Sequence, residues 1–176
     1  MSTQTYSDKF SIVLGETFDN ISIIIGDLYT EGKTTLNPAL VNALKAFILS
    51  HDKIFTINKF IENSNQIWPD IKNKNEDCLL KNFDHLFGDY SNREEFNAVK
   101  LIFTAAIDKE AKIYIWECLF SLVKLSINHI FTERGTLVNK GNKDGKKIIT
   151  ISYKNKDFFP KINLSDQNKL WDLKLW

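Results

Sequence analysis

Cysteine, arginine, methionine and proline are all scarce in this 176-residue chain, which has two Cys, two Arg, one Met and three Pro. Cys78 and Cys118 form no CxxC pair, so they provide neither a disulfide framework nor a zinc site. This cysteine usage is typical of a reducing compartment. We therefore expect no metal and no cofactor.

Sequence motifs of catalysis are missing as well. The chain has no HExxH, GxSxG, P-loop, GxGxxG or paired-carboxylate motif. The segment Gly-Asn-Lys-Asp-Gly at 141–145 lacks both the Ser/Thr that follows a phosphate loop and the spaced acids of a calcium loop, so it predicts a hairpin turn. We expect a protein that is not an enzyme.

The sequence shows no export signal and no membrane span. The first ten residues lack the basic start and the apolar core of a signal peptide. Polar residues interrupt the most apolar run, residues 113–131, at Glu117, Lys124, Asn128 and His129. We expect no membrane insertion and a location inside the cell.

What is abundant is the material of a globular core. The chain is 43% hydrophobic, 12% aromatic and 26% charged, the composition of an ordinary folded domain. No linker or repeat divides it, so we expect a single domain over residues 1–176. Its parts are a helical body, 7–134, and a C-terminal region, 135–176.

Apolar residues recur at three- and four-residue steps through the body, which predicts about six helices. The first helix is expected at residues 7–29, weakened at Gly15 and ending early or kinking at Gly26, and the second begins at Asn37-Pro38. The third is capped by Asp52 or Thr56 and stopped by Trp68-Pro69, and the fourth runs from Asn75 to a stop at Gly88. Ser91 with Glu94 opens the fifth, and the sixth covers residues 109–133 after Asp108.

The helix at 109–133 is the expected centre of an all-α bundle, since it is apolar almost all round. The predicted inner face is Ile113, Trp116, Phe120, Val123, Ile127 and Ile130. After Gly135 the pattern changes to two β-type runs, 136–138 and 147–153, which predict a small hairpin.

Three histidines are scattered along the body. His51 beside Asp52 is either an acid–base pair or a solvated turn in which Asp52 caps the next helix. His85 shares a helix face with Cys78, but two ligands without a third predict a surface histidine. His129 lies at a helix C-terminus, where the dipole favours it in a structural role.

The C-terminal region is basic, with ten Lys/Arg against five Asp/Glu over residues 132–176. Lysines with interleaved aromatics can hold a phosphate backbone and stack bases, or they can protect a sheet edge from other chains. The candidate nucleic-acid contacts are Lys140, Lys143, Lys146, Lys147, Lys154 and Lys156.

Large apolar residues also crowd the last stretch of the chain: Leu170, Trp171, Leu173 and Trp176. This aromatic tail either folds back to cap the bundle or docks onto a protein partner. We predict that folding back dominates.

Two groups of short motifs resemble a pattern in uncharacterised proteins of nucleocytoplasmic large DNA viruses. One group is His51-Asp52-Lys53, Phe60-Ile61, Ile67-Trp68 and residues 77–87; the other is Ile115-Trp116, residues 121–124, residues 127–130 and Glu133-Arg134. The resemblance implies a viral origin, a mainly helical fold and a place in the virion or in a virus factory of the host cytoplasm. It implies no catalytic residue.

The sequence therefore predicts a non-enzymatic interaction or assembly protein that binds other proteins or further copies of itself. One alternative is a nucleic-acid-associated protein that uses the lysine-rich hairpin. Another is an inhibitor of a host pathway.

Overall fold

The chain is mostly helical in a computed structural model that describes residues 4–86, 100, 109–133, 136–143, 146–154 and 156–162. The helices are α1 (Tyr6–Thr30), α2 (Pro38–Leu49), α3 (Lys53–Ser64), α4 (Trp68–Lys72), α5 (Glu76–Leu86) and α6 (Lys109–Thr132), with a 3₁₀ turn at Asn65–Ile67. The strands are β1 (Thr136–Lys143), β2 (Lys146–Tyr153) and β3 (Lys156–Ile162). The predicted start signals at Ser91 and Asp108 and the stop at Gly88 lie outside the described residues.

Side-chain caps set the starts of the first helices. Thr5 and Asp8 form a reciprocal capping box on α1. Asn37 caps α2 directly before a proline, and Asp52 caps α3 by accepting hydrogen bonds from two backbone N–H groups. The predicted caps at Asn37 and Asp52 are confirmed.

Helix α1 runs through Gly26 to Thr30, so the prediction of an early end there is wrong. Both interior glycines face α2. A Cβ atom at Gly15 would lie 3.4 Å from a methyl carbon of Leu49, and one at Gly26 would lie 4.0 Å from Pro38. These glycines weaken the helix locally, but tertiary contact between α1 and α2 outweighs their low propensity.

Trp68-Pro69 is predicted to stop the third helix, but in the structure these two residues begin the next helix. The chain turns through Asn65–Ile67 and Trp68 begins α4, because a proline in the first helical turn sacrifices no intrahelical hydrogen bond. The Trp68 side chain is fully buried, and its indole Nε1–H donates to Ser64 Oγ at 2.9 Å.

Helix α6 packs against α1, α3 and α4. Four residues of the predicted face are buried, Trp116, Val123, Ile127 and Ile130, whereas Ile113 is 41% exposed and Ile115, which is not part of that predicted face, is 2% exposed. A helix that is apolar almost all round offers several stripes, and the neighbouring helices select the one that is buried. The prediction that Ile113 faces inward is therefore wrong.

The three strands pair antiparallel in the order β1-β2-β3. The third strand contains the Phe158-Phe159-Pro160 segment, for which the sequence analysis predicts no strand. Proline is tolerated there because β3 is the edge strand of the sheet that the described residues form. The turn is predicted over residues 141–145, but residues 141–143 belong to β1, so that part of the prediction is wrong. Residues 144–145 lie outside the described residues.

Candidate functional site

An apolar groove opens where the start of α1 meets the end of α2, the first part of α3 and the end of α5. Its volume is about 370 Å³, including space open to solvent. The described residues that line this aromatic groove are Phe10, Leu14, Ile48, His51, Phe55, Thr56, Lys59, Phe60, Asn63 and Leu86.

The floor of the aromatic groove is rigid and apolar. Phe10, Phe60 and Leu86 are buried, and the rings of Phe10 and Phe60 pack with centroids 5.3 Å apart at an interplanar angle of 57°. Tilted aromatic pairs of this kind are favourable beyond the area they bury. The floor therefore belongs to the core and keeps its shape.

The rim is different, because large apolar side chains there face water. Phe55 is 44% exposed and its neighbour Ile54 is 50% exposed. Both lie in the first turn of α3, ahead of the buried Ile57, Phe60 and Ile61. Phe55 belongs to the apolar pattern of this helix in the sequence, and nothing local in that pattern distinguishes it from the buried Ile57 and Phe60.

His51 joins the rim to the end of α2. Its ring stacks on Phe55 with centroids 5.7 Å apart and meets Phe47 edge-on at 5.0 Å. Its Nδ1 lies 2.9 Å from the Phe47 carbonyl oxygen, which can only accept, so Nδ1–H is the donor. Since Asp52 caps α3, His51 and Asp52 have separate structural roles rather than those of an acid–base pair.

Two lysines lie near the rim and differ in their partners. Lys53 Nζ is 2.6 Å from Asp8 Oδ1. This hydrogen bond, followed by those from Thr5, lowers the pKa of Asp8 to about 2. Lys59 lies 5.9 Å from the Phe55 ring centroid and 3.9 Å from Glu62 Oε2. Both lysines therefore have a carboxylate nearby, Lys53 at the closer distance, and Lys59 is the one that lines the groove.

A second polar cluster lies under β2. Tyr153 OH donates to Asn58 Oδ1 of α3 at 2.9 Å and lies 3.5 Å from Nε2 of His129 on α6. His129 is 4% exposed, and its burial lowers its pKa. The helix dipole stabilises a histidine at a C-terminus only when the ring is charged, and burial disfavours the charged ring. The dipole therefore explains the position of His129 poorly.

Neither cysteine is placed for nucleophilic or metal chemistry. Cys118 is buried. Burial, followed by a contact with Asp70, raises the pKa of Cys78, which disfavours the reactive thiolate. Within the described ranges no three His, Cys, Asp or Glu residues gather as a metal site would require. The side chain of His85 lies outside the described set.

The six candidate lysines fall into two groups along the sheet. Lys143 and Lys146 are register partners, with Lys147 opposite Asn142, so these three lie at one end of the β1–β2 pair. Lys154 and Lys156 lie at the other end, where Tyr153 pairs with Lys156. Lys140 lies within the register shift of β1. The aromatic tail (Leu170, Trp171, Leu173 and Trp176) lies outside the described residues.

The chain matches no protein-family model, no curated protein and no solved structure. Over the part of the chain that the structure describes, no helix has both the length and the apolarity needed to cross a membrane. The viral resemblance stays a prediction.

Proposed function

We propose that this chain is a non-enzymatic interaction protein that binds a segment of a partner protein in the aromatic groove. The observation that carries the proposal is Phe55, which is 44% exposed at the rim of a preformed apolar depression. Burying a large apolar side chain contributes roughly 1.5–3 kcal/mol. Aromatic residues, Phe among them, are enriched in protein interfaces relative to the rest of the protein surface.

The polar residues of the groove favour binding over catalysis. His51 Nδ1–H donates to the Phe47 carbonyl, and Thr56 Oγ1 donates to the Asp52 carbonyl at 3.0 Å. The first hydrogen bond ties the turn after α2 to the end of that helix, and the second lies in the first turn of α3. They support a role in shaping the rim rather than in proton transfer to a substrate.

The chemistry of the partner follows from the lining. The floor is apolar, which suits an apolar side chain, and the lining residues that the structure describes include Lys59 but no carboxylate. The preferred segment therefore presents an apolar anchor with an Asp or Glu close to it in sequence. The carboxylate approaches Lys59, where charge complementarity adds specificity and association rate.

The test uses a displayed peptide library selected against the purified protein. We expect the enriched peptides to share an apolar anchor and an adjacent acid, and Phe55→Lys to weaken them at least about tenfold, or about 1.4 kcal/mol. Fluorescence polarisation of labelled peptides gives the affinities. Lys59→Glu should selectively weaken peptides that carry the acid.

Ile23→Lys is the matched control. Ile23 is 62% exposed on α1 and does not line the groove, so this variant adds the same charge at another exposed apolar position. It should bind the selected peptides like the wild type. If no peptide family is enriched, or if Phe55→Lys and Ile23→Lys bind equally well, the proposal is wrong.

Nucleic-acid binding by the lysine-rich sheet end is the second candidate. Lys143 and Lys146 are direct register partners, and like charges placed opposite each other are unfavourable unless an anion compensates them. Changing Lys143, Lys146, Lys147 and Lys154 to Glu should abolish a DNA gel shift that weakens steeply with salt. Absence of any wild-type shift at about 50 mM salt, where such contacts are strong, would exclude this candidate.

For the whole chain we propose a six-helix bundle with a C-terminal hairpin and a tail that folds back. A viral origin and a place in the virion or virus factory follow from the resemblance alone. Inhibition of a host pathway is a special case of partner binding, in which the segment in the groove comes from a host protein.

A further inference from the structure

The contact between His129 and Tyr153 closes the space between three elements. His129 lies on α6, Tyr153 ends β2, and Asn58 lies on α3. His129 is 4% exposed and Tyr153 is 3% exposed, and their rings meet edge-on with centroids 6.4 Å apart. Tyr153 thus anchors the end of β2 to the helices through a buried polar contact.

The hydrogen-bond directions define the proton positions. The Tyr153 hydroxyl donates its only proton to Asn58 Oδ1, so the hydroxyl oxygen can only accept from His129. The Nε2–H form of the ring is then the one that suits the 3.5 Å contact. A second proton has to enter at Nδ1, for which no described residue accepts a hydrogen bond.

The groups around His129 do not compensate a positive charge. From α3 the facing group is the neutral Asn58 amide, and from β2 it is Tyr153, whose pKa burial raises to about 12. Two charges act on the ring among the described residues: Glu133 raises the pKa of His129 and Lys154 lowers it. Burial outweighs Glu133, and the pKa lies below its ordinary value of 6.5.

We propose that His129 is an acid-sensitive latch, whose protonation loosens Tyr153 and with it the end of β2 from the helical body. In the closed form the neutral ring donates to Tyr153 in a buried site. The charged ring is better solvated when Tyr153 moves away and water enters. The latch therefore couples pH to the attachment of the sheet, which is separate from peptide binding in the aromatic groove.

The pH range follows from the direction of the shift. A histidine whose pKa is lower in the closed state than in the open state stabilises the closed state above about pH 6.5, the ordinary value. That contribution is lost as the pH falls below 6.5, because the open state takes up a proton first. Acid conditions therefore open the latch.

Hydrogen exchange measured by mass spectrometry tests the latch in the full chain. After correction for intrinsic exchange rates, peptides that cover 146–154 should show an opening equilibrium several times larger at pH 5 than at pH 7.5, because the open state takes up the proton more readily than the closed state. His129→Gln keeps a side-chain N–H donor and cannot be protonated, so it should remove this pH dependence. His51→Gln, at a partly exposed histidine, should retain it.

Retention of the pH dependence in His129→Gln, or its absence in the wild type, would overturn the proposal. Nuclear magnetic resonance of the wild-type protein tests the same point if the variant does not fold. The His129 ring should titrate below 6.5, and the amide signal of Tyr153 should shift with the same midpoint. A His129 ring that titrates at its ordinary pKa would also overturn the proposal. So would a Tyr153 amide signal that does not shift with the His129 titration.

Discussion

At the scale of single residues, a buried polar atom can be paired by a neighbour close in sequence. Ser64 shows this on α3: its hydroxyl donates to the Phe60 carbonyl at 2.6 Å and accepts from the Trp68 indole at 2.9 Å. Both Ser64 and Trp68 are fully buried. One serine thus compensates the only polar atom of the largest buried side chain.

Removal of this hydroxyl gives a prediction for stability. Ser64→Ala leaves the indole N–H buried without its partner, which should lower the free energy of unfolding by about 1–3 kcal/mol. Urea denaturation monitored by circular dichroism measures the change. Ser121→Ala is the matched control, because the Ser121 hydroxyl only donates to the Glu117 carbonyl one turn back, in a solvent-accessible position.

The control variant should change stability by less than about 0.5 kcal/mol. Equal losses in the two serine variants would show that the Ser64–Trp68 hydrogen bond does not stabilise the fold. A Ser64→Thr variant, which keeps the hydroxyl, should fall between the wild type and Ser64→Ala.

At the scale of secondary-structure elements, helices α1 and α2 approach closely and are joined by an ion pair. Gly15 lies against Leu49, and Lys45 Nζ of α2 lies 2.6 Å from Asp19 Oδ1 of α1. A methyl group at Gly15 would lie 3.4 Å from Leu49 and 3.7 Å from Lys45, within van der Waals contact of both side chains. The size of the side chain at this position therefore decides whether a substitution raises or lowers the free energy of unfolding.

We predict opposite effects of two substitutions at Gly15. Gly15→Ala should raise the free energy of unfolding by up to about 1 kcal/mol, because alanine is the better helix former and its methyl group fits. Gly15→Phe should lower it by about 1–3 kcal/mol or more through overpacking against Leu49. Thermal and urea denaturation measure both.

Gly26→Ala is the reference for helix propensity alone, since its Cβ would meet only Pro38 at 4.0 Å. It should stabilise α1 about as much as Gly15→Ala. A destabilised Gly15→Ala beside a stabilised Gly26→Ala would mean that α1 and α2 lie closer than the structure has them.

At the scale of the whole molecule, both candidate sites depend on α3. Phe55 and Lys59 contribute to the aromatic groove, whereas Asn58 reaches Tyr153 beneath β2. The groove also needs Phe10 from the start of the chain and Leu86 from α5. Each site therefore exists only when distant parts of the chain come together.

The local features of the chain were determined by its sequence. The caps at Asn37 and Asp52 and the apolar periodicity of α1 and α6 act over three or four residues, so they can be predicted without a structure. The tertiary structure alone decided which stripe of α6 is buried, that α4 continues past Trp68, and that Phe55 stays exposed. These features depend on contacts between residues far apart in sequence, such as Asn58 with Tyr153, and no local pattern encodes such contacts.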